Sequence, residues 1–421
     1  MKVVISHPTG NQNVRAAVAG FVDAHIAHSF HTTIATFPGD VISRFVDLKP
    51  FSILRRRSFE PQLKKITECR PWVEAGRLLA LKIGIRNLTK HETGLFCIDS
   101  VYRDLDQKVA RNLRQYARLG ATAVYAYEDG ARNSFQAAKR LGLQCYYDLP
   151  IGYWRAGQRI LEIEKERWPS WAPTLTGLHN SDDKLNRKDE ELWLADRVYV
   201  ASEFTARTLQ SCPVNLPPVE VIPYGFPPVA EERKYRSCGE NEPLRLLFVG
   251  GLTQRKGIAN LFAAVKPLKR YVKLTVVGKR TGNSCLALDA ELVNHRWIPG
   301  LAHADILKMM QHHDVLVFPS LFEGFGLVIT EAMSQGTPVI TTDHTAGPDL
   351  IDHKKNGWII KAGSTEALRS VIEDLLHQRK MIPEFGRAAM ATARRRPWNV
   401  YGHALAHSVA KQMQEVYPVR G

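Results

Sequence analysis

Residues 314–340, DVLVFPSLFEGFGLVITEAMSQGTPVI, are compatible with few folds. Val315–Phe318 is a short, β-branched apolar run closed by Pro319, the pattern of a strand buried on both faces of a parallel sheet. A glycine-bearing turn follows, Glu323-Gly324-Phe325-Gly326, and then a helical segment containing Glu331, Ala332 and Met333. Gly336 and Pro338 stop that helix and release a second strand, Val339–Thr342. The result is a strand–helix–strand unit with two carboxylates at fixed spacing. Glu323 falls at the carboxyl end of its strand, where open parallel sheets bind ligands. Glu331 lies in the helix whose first amides point at the same crevice.

A second unit repeats the logic with the opposite charge. Leu244–Val249 reads as a buried strand, and Gly250-Gly251-Leu252-Thr253-Gln254-Arg255-Lys256-Gly257 leads into a helix over Ile258–Val265. Amides, helix dipole and two cations at one helix start form a phosphate cradle.

With its flanks, the Glu323 and Glu331 pair resembles the E-x7-E signature of the retaining glycosyltransferases of family 4. The resemblance is strong over 244–375, fair over 190–226 and thin before that. It implies an α/β chain of the GT-B type, two Rossmann-like domains facing across a cleft. The expected division is an acceptor-side domain over 1–226, a linker over 227–243 and a nucleotide-sugar domain over 244–397. A C-terminal helix within 398–421 is expected to return to the first domain.

The resemblance also implies roles. Glu323 holds the donor sugar, Glu331 holds the ribose hydroxyls, and Lys256 carries charge from the leaving diphosphate. Gly250, Gly251, Gly324, Phe325 and Gly326 line the donor. Relatives read G-R-L-x-x-x-K-G at the cradle; here Gly251 stands where they have arginine, which leaves Arg255 as the candidate replacement. No metal ion and no cofactor is expected, because cations and helix ends supply the charge.

The N-terminal part is less explicit. Lys2–Ser6 reads as a strand, His7 to Asn13 as a polar turn and 14–27 as a helix, with Asn13 a candidate cap. Gly10 lets the backbone approach the donor, and His7, Asn11 and Arg15 are candidate acceptor or phosphate contacts. There is no G-x-G-x-x-G, so a dinucleotide is not indicated. Strands are expected at 32–36, 123–127 and 144–147 and helices at 105–118 and 134–141. Glu128 and Asp129, at a strand's carboxyl end, are candidate sugar-hydroxyl contacts.

The net charge of +15 calls for an anionic partner. Zinc-finger spacings and aromatic RNA-binding strands are missing, which disfavours nucleic acid. No C-x-x-C pair occurs and no apolar run spans a bilayer. The first residues enter a strand directly and do not read as a signal peptide. A cytoplasmic location is therefore expected, with the inner membrane face as a further candidate. The stretch 55–82 mixes Arg55, Arg56, Arg57, Lys64 and Lys65 with Trp72, Leu78 and Leu79, a pattern suited to reversible docking on anionic lipid.

The function expected is transfer of a sugar, with retention, from a nucleoside-diphosphate sugar to a hydroxyl acceptor. That acceptor would be a sugar, a lipid-linked group or another alcohol, in polysaccharide or glycolipid synthesis. The rival readings are a sugar-nucleotide 2-epimerase of the same architecture and a catalytically silent binding protein.

Overall fold

The computed structural model describes residues 1–40, 57–175, 180–236, 242–282 and 284–417. Arg55 and Arg56 lie outside the described residues.

The first sheet has seven parallel strands: β1 (Lys2–Ser6), β2 (Ala27–Thr32), β3 (Thr67–Cys69), β4 (Ala121–Tyr127), β5 (Gln144–Leu149), β6 (Arg197–Val200) and β7 (Val219–Val221), in the order β3-β2-β1-β4-β5-β6-β7. The second has six: β8 (Leu244–Val249), β9 (Val272–Val277), β10 (Arg296–Ile298), β11 (Val315–Phe318), β12 (Val339–Thr342) and β13 (Gly357–Ile360), in the order β10-β9-β8-β11-β12-β13. All pairings are parallel, and helices cover the faces, so central strands such as Val3 to Ile5 and Val315 to Phe318 are buried throughout. Each sheet reverses its winding once, between β1 and β4 and between β8 and β11. Ligands of open parallel sheets bind at such reversals, beyond the carboxyl ends of the strands.

The expected strand at 32–36 is instead β2, ending at Thr32. Its buried positions include Ser29, His31 and Thr32, so polar residues conceal an interior strand. The expected helix at 14–27 is Gln12–Asp23, because Ala24 and His25 close it, His25 with φ of 56°. Asn13 is not its cap; it lies in the first turn and donates from Nδ2 to the Tyr224 hydroxyl at 3.3 Å. Asn11 occupies the capping position without a side-chain bond. The Trp398–Val416 helix lies along Gln12–Asp23, with His403 Nε2 3.1 Å from Asp23 and Ser408 Oγ 3.1 Å from the Tyr199 hydroxyl.

Beneath the first reversal a buried carboxyl, Asp148, accepts from the Tyr125 hydroxyl at 2.6 Å. Burial pushes its pKa up to about 7, against the opposing hydrogen bond from Tyr125. The folded protein thus favours the neutral acid. Stability is fully present below the ordinary carboxyl pKa and falls as pH rises from about 4 to 7, by up to about 4 kcal/mol. Asp148→Asn, which keeps an acceptor for Tyr125, should melt higher than the parent at pH 8. That advantage should shrink towards pH 4 in thermal unfolding across pH, and a constant difference would contradict this assignment.

Candidate active site at the two sheet reversals

The cleft-facing end of the second sheet is made by two loops. After β8, Gly250 to Gly257 turns into the Ile258–Val265 helix. Gly257 has φ of +69°, and a Cβ there would sit 2.0 Å from the Pro319 carbonyl oxygen, so only glycine brings this loop against the end of β11. After β11, Ser320 to Gly326 leads into the Leu327–Ser334 helix.

That contact places Arg255 and Lys256 on Glu323. Lys256 Nζ donates to Glu323 Oε1, and so do Arg255 Nη1 at 3.2 Å and Ser320 Oγ at 2.9 Å. Arg255 Nη1 also donates to the Phe322 carbonyl at 2.7 Å. Burial works to raise the Glu323 pKa, but Lys256 and Arg255 outweigh it and hold the carboxyl below its usual range. Burial lowers the Lys256 pKa despite the attraction of Glu323. Arg255 therefore shares the cradle with Lys256, although Gly251 stands at the position where arginine was expected.

The amides of Gly324, Phe325 and Gly326 have no hydrogen-bond acceptor among the described residues. With the open first turn of the following helix they form a set of donors suited to an anion. Glu331 lies in the same helix, and His303 Nε2 is 2.9 Å from its Oε1. His303 is a contact that the sequence pattern did not single out.

The first domain reaches this loop directly. Ser202 Oγ and Thr205 Oγ1 both donate to the Gly324 carbonyl, at 2.5 and 2.9 Å. Gln254, fully buried, donates from Nε2 to Glu164 Oε2 at 2.8 Å, and its amide donates to Thr174 Oγ1 at 2.9 Å. Phe204 stacks on His344, with ring centroids 4.7 Å apart. None of these cross-domain contacts has a local sequence signature.

The candidates of the first domain are placed differently. His7, buried, accepts from the Thr9 amide at Nδ1 and meets Tyr127 edge-on at 4.5 Å. Burial lowers its pKa to about 4, so its ring is neutral near pH 7. The loop carrying Gly10 is pinned by buried Arg57, which donates to the Pro8 carbonyl at 2.6 Å and the Thr33 hydroxyl at 2.7 Å. Asn11 is exposed, and Arg15 donates to the Ser58 carbonyl at 3.0 Å. Arg15 is thereby committed to its own domain's backbone.

Glu128 and Asp129 are ion-paired within their own domain. The Asp182–Leu194 helix brings three cations onto them: Lys188 Nζ lies 3.0 Å from Glu128, and Arg187 Nη2 and Lys184 Nζ lie 3.3 and 3.9 Å from Asp129. Glu191 of that helix accepts from the amides of Asp129 at 2.8 Å and Ala131 at 3.1 Å. These contacts hold the turn.

Residues 231–392 match the family model described as glycosyl transferases group 1. The chain is 28% identical over 174 residues to the amylovoran biosynthesis glycosyltransferase AmsK of Erwinia amylovora, covering 38% of this chain and 42% of that one. It thus spans less than half the length of that relative. The fold is that of sucrose-phosphate synthase from Thermosynechococcus elongatus, with a TM-score of 0.63, 18% identity and full coverage of both chains. It is likewise that of Anabaena HepE solved in complex with UDP, with a TM-score of 0.61, 16% identity, and 99% and 100% of the two chains covered. The two-domain GT-B architecture follows.

Proposed function

We propose that this chain is a retaining glycosyltransferase that takes a sugar from a nucleoside-diphosphate donor. The observation that carries the reading is the convergence of Lys256, Arg255 and the unbonded amides of Gly324 to Gly326 at one sheet reversal. The matching C-terminal segment and the UDP bound by HepE support the same donor class.

In this reading the donor diphosphate displaces Glu323 from the two cations and takes the free amides. Glu323, released, accepts hydroxyls of the donor sugar, and Glu331 exchanges His303 for ribose hydroxyls. As the bond from the anomeric carbon to the diphosphate oxygen breaks, negative charge grows next to Lys256 and Arg255, where stabilisation lowers the barrier. The acceptor hydroxyl enters on the face the diphosphate leaves, which gives retention, and its proton passes to the departing phosphate oxygen. Neither glutamate is assigned as a covalent nucleophile. No metal ion is required, since the two cations and the helix start supply the positive charge. Glu323 is buried and the first domain bonds the adjacent Gly324 carbonyl, an arrangement that limits water at the reacting centre.

Incubation with a panel of nucleoside-diphosphate sugars and a membrane-lipid extract tests this reading. Acceptor-dependent release of nucleoside diphosphate supports transfer. A new sugar nucleotide without that release would mean a 2-epimerase, and no turnover with any donor would mean a binding protein.

We further propose an acceptor held at a membrane, on the strength of one exposed surface. The described cations of the 55–82 stretch are largely engaged: Arg57 and Arg77 with Glu74, Arg70 with Asp104 and Lys64 with Asp40. The Trp72–Ile83 helix instead exposes apolar side chains, with Trp72 75%, Leu79 59% and Ile83 58% accessible. Lys82 and Arg86, both exposed, flank them. An apolar face bordered by cations suits an anionic bilayer surface. Burying a Leu or Ile side chain contributes about 1.5–3 kcal/mol, so Leu79→Glu with Ile83→Glu should abolish sedimentation with phosphatidylglycerol vesicles. The melting temperature should barely move. Sedimentation that is absent in the parent, or unchanged in the variant, favours a soluble acceptor.

A further inference from the structure

The donor cradle accounts for little of the net charge of +15, and five further cations surround a cavity away from the cleft. This cavity, of about 860 Å³, is lined by residues at the amino ends of β8, β9 and β10 and along the His303–Gln311 helix. The donor cradle stands at the opposite, carboxyl ends of the same strands. Five cations line the cavity: Arg245, Lys269, Lys273, Arg296 and Lys308. One carboxylate, Asp305, faces them. None of the five forms an ion pair among the described residues. Elsewhere Arg70, Arg132, Lys139 and Arg197 each meet a carboxylate, whereas here five cations share one hollow with a single carboxylate.

The floor is built and partly apolar. Val272 and Leu274 are buried beneath it, and His313 is fixed between the Met309 carbonyl at 2.7 Å and the Thr275 hydroxyl at 2.9 Å. His295 stacks on Phe262, with centroids 5.2 Å apart. The volume is that of a pocket for a small molecule. Five like charges held around one hollow repel each other, a cost that a bound polyanion reverses. A flat patch would suit a long polymer; a hollow with a buried floor and a rim of exposed cations suits a compact ligand with several phosphate oxygens.

We infer that this cavity is a second binding site, separate from the donor site, for a multiply phosphorylated group of small-molecule size. That group is either a free metabolite or the headgroup of a phospholipid. The charge around the cavity is independent of what the cleft transfers.

The probe is inorganic triphosphate, titrated by calorimetry into the full chain carrying Arg255→Glu and Lys256→Glu, which replaces both cradle cations by carboxylates. One site should remain in that background and weaken with added salt. Adding Lys273→Glu and Arg296→Glu should weaken it by at least about tenfold per lost contact. Lys308→Glu, on the helix rather than the strands, should act in the same direction and guards against a local folding defect. A second arm uses protein carrying Leu79→Glu and Ile83→Glu, with phosphatidylcholine vesicles that do or do not contain a phosphoinositide bearing two ring phosphates. Sedimentation with the phosphoinositide vesicles alone, lost when Lys273→Glu and Arg296→Glu are added and accompanied by no triphosphate binding, places the phosphate on a lipid headgroup. Triphosphate binding without vesicle binding places it on a free metabolite. The inference is overturned if neither probe binds, or if binding is unchanged by the charge reversals.

Discussion

Lys256→Ala is expected to lower kcat by about 10²- to 10³-fold while changing KM far less. The charge that Lys256 meets in the ground state is shared with Arg255 and the loop amides, whereas the charge on a departing diphosphate grows during bond cleavage. Removing one fixed donor from a developing oxyanion typically costs this much. The substitution also leaves buried Glu323 with Arg255 and Ser320 as its remaining partners. Arg255→Ala should follow the same pattern less severely, because its guanidinium is also tied to the Phe322 carbonyl. Steady-state kinetics with the identified donor checks both variants. An unchanged kcat with only KM shifted in Lys256→Ala would remove its leaving-group role. A silent Arg255→Ala beside a crippled Lys256→Ala would mean that nothing nearby replaces the arginine absent at Gly251.

Gly324→Ala should be at least as damaging, for a steric reason. A Cβ at Gly324 would lie 1.8 Å from the Pro150 carbonyl oxygen and 2.7 Å from Ile151 Cα. These are backbone atoms of the other domain and cannot rotate aside. Either the domains part or the loop shifts, and both outcomes strain the hydroxyl bonds from Ser202 and Thr205 to the Gly324 carbonyl. Overpacking of this kind costs about 1–3 kcal/mol. Displacing the donor-loop amides by about 1 Å can cost a further 10²-fold in rate. Circular dichroism should stay near that of the parent, since each domain keeps its own core, while activity falls by about 10²-fold or more. Gly251→Ala is the control for packing: its Cβ would meet only the Thr281 methyl, at 3.4 Å. Equal activity of Gly324→Ala and the parent would show that close domain contact at this loop is dispensable.

These two residues illustrate what local sequence can convey. The 314–340 stretch was readable because a β-branched run, a proline stop and paired glycines each act on the nearest few residues. Its strands start and end where that pattern places them. The cradle loop was readable for the same reason, but the bonding of Arg255 and Lys256 to Glu323 was not, since it depends on parallel pairing of β8 with β11. The ion pairs of Glu128 and Asp129 were not readable, because their partners, Lys184, Arg187 and Lys188, lie more than fifty residues downstream and arrive only with the folded helix. Arg57 belonged to a run that suggested a lipid-facing surface, yet it is buried and pins the first-domain loop. The second strand was misplaced because its interior carries serine, histidine and threonine where an apolar alternation was sought. Propensity and periodicity describe neighbours in sequence, and an interface between two domains has none.

The most direct test of the account is calorimetric titration of UDP, GDP and ADP into the parent protein, Lys256→Ala and Glu331→Ala. At least one nucleoside diphosphate should bind the parent at the donor cradle. Glu331→Ala should weaken it by roughly 30- to 1,000-fold, the value of a carboxylate bonded to two vicinal hydroxyls at about 2–4 kcal/mol. Lys256→Ala should weaken it less than it slows turnover. Failure of all three nucleotides to bind, or binding that neither substitution alters, would contradict the assignment of the two sheet reversals as a nucleotide-sugar site.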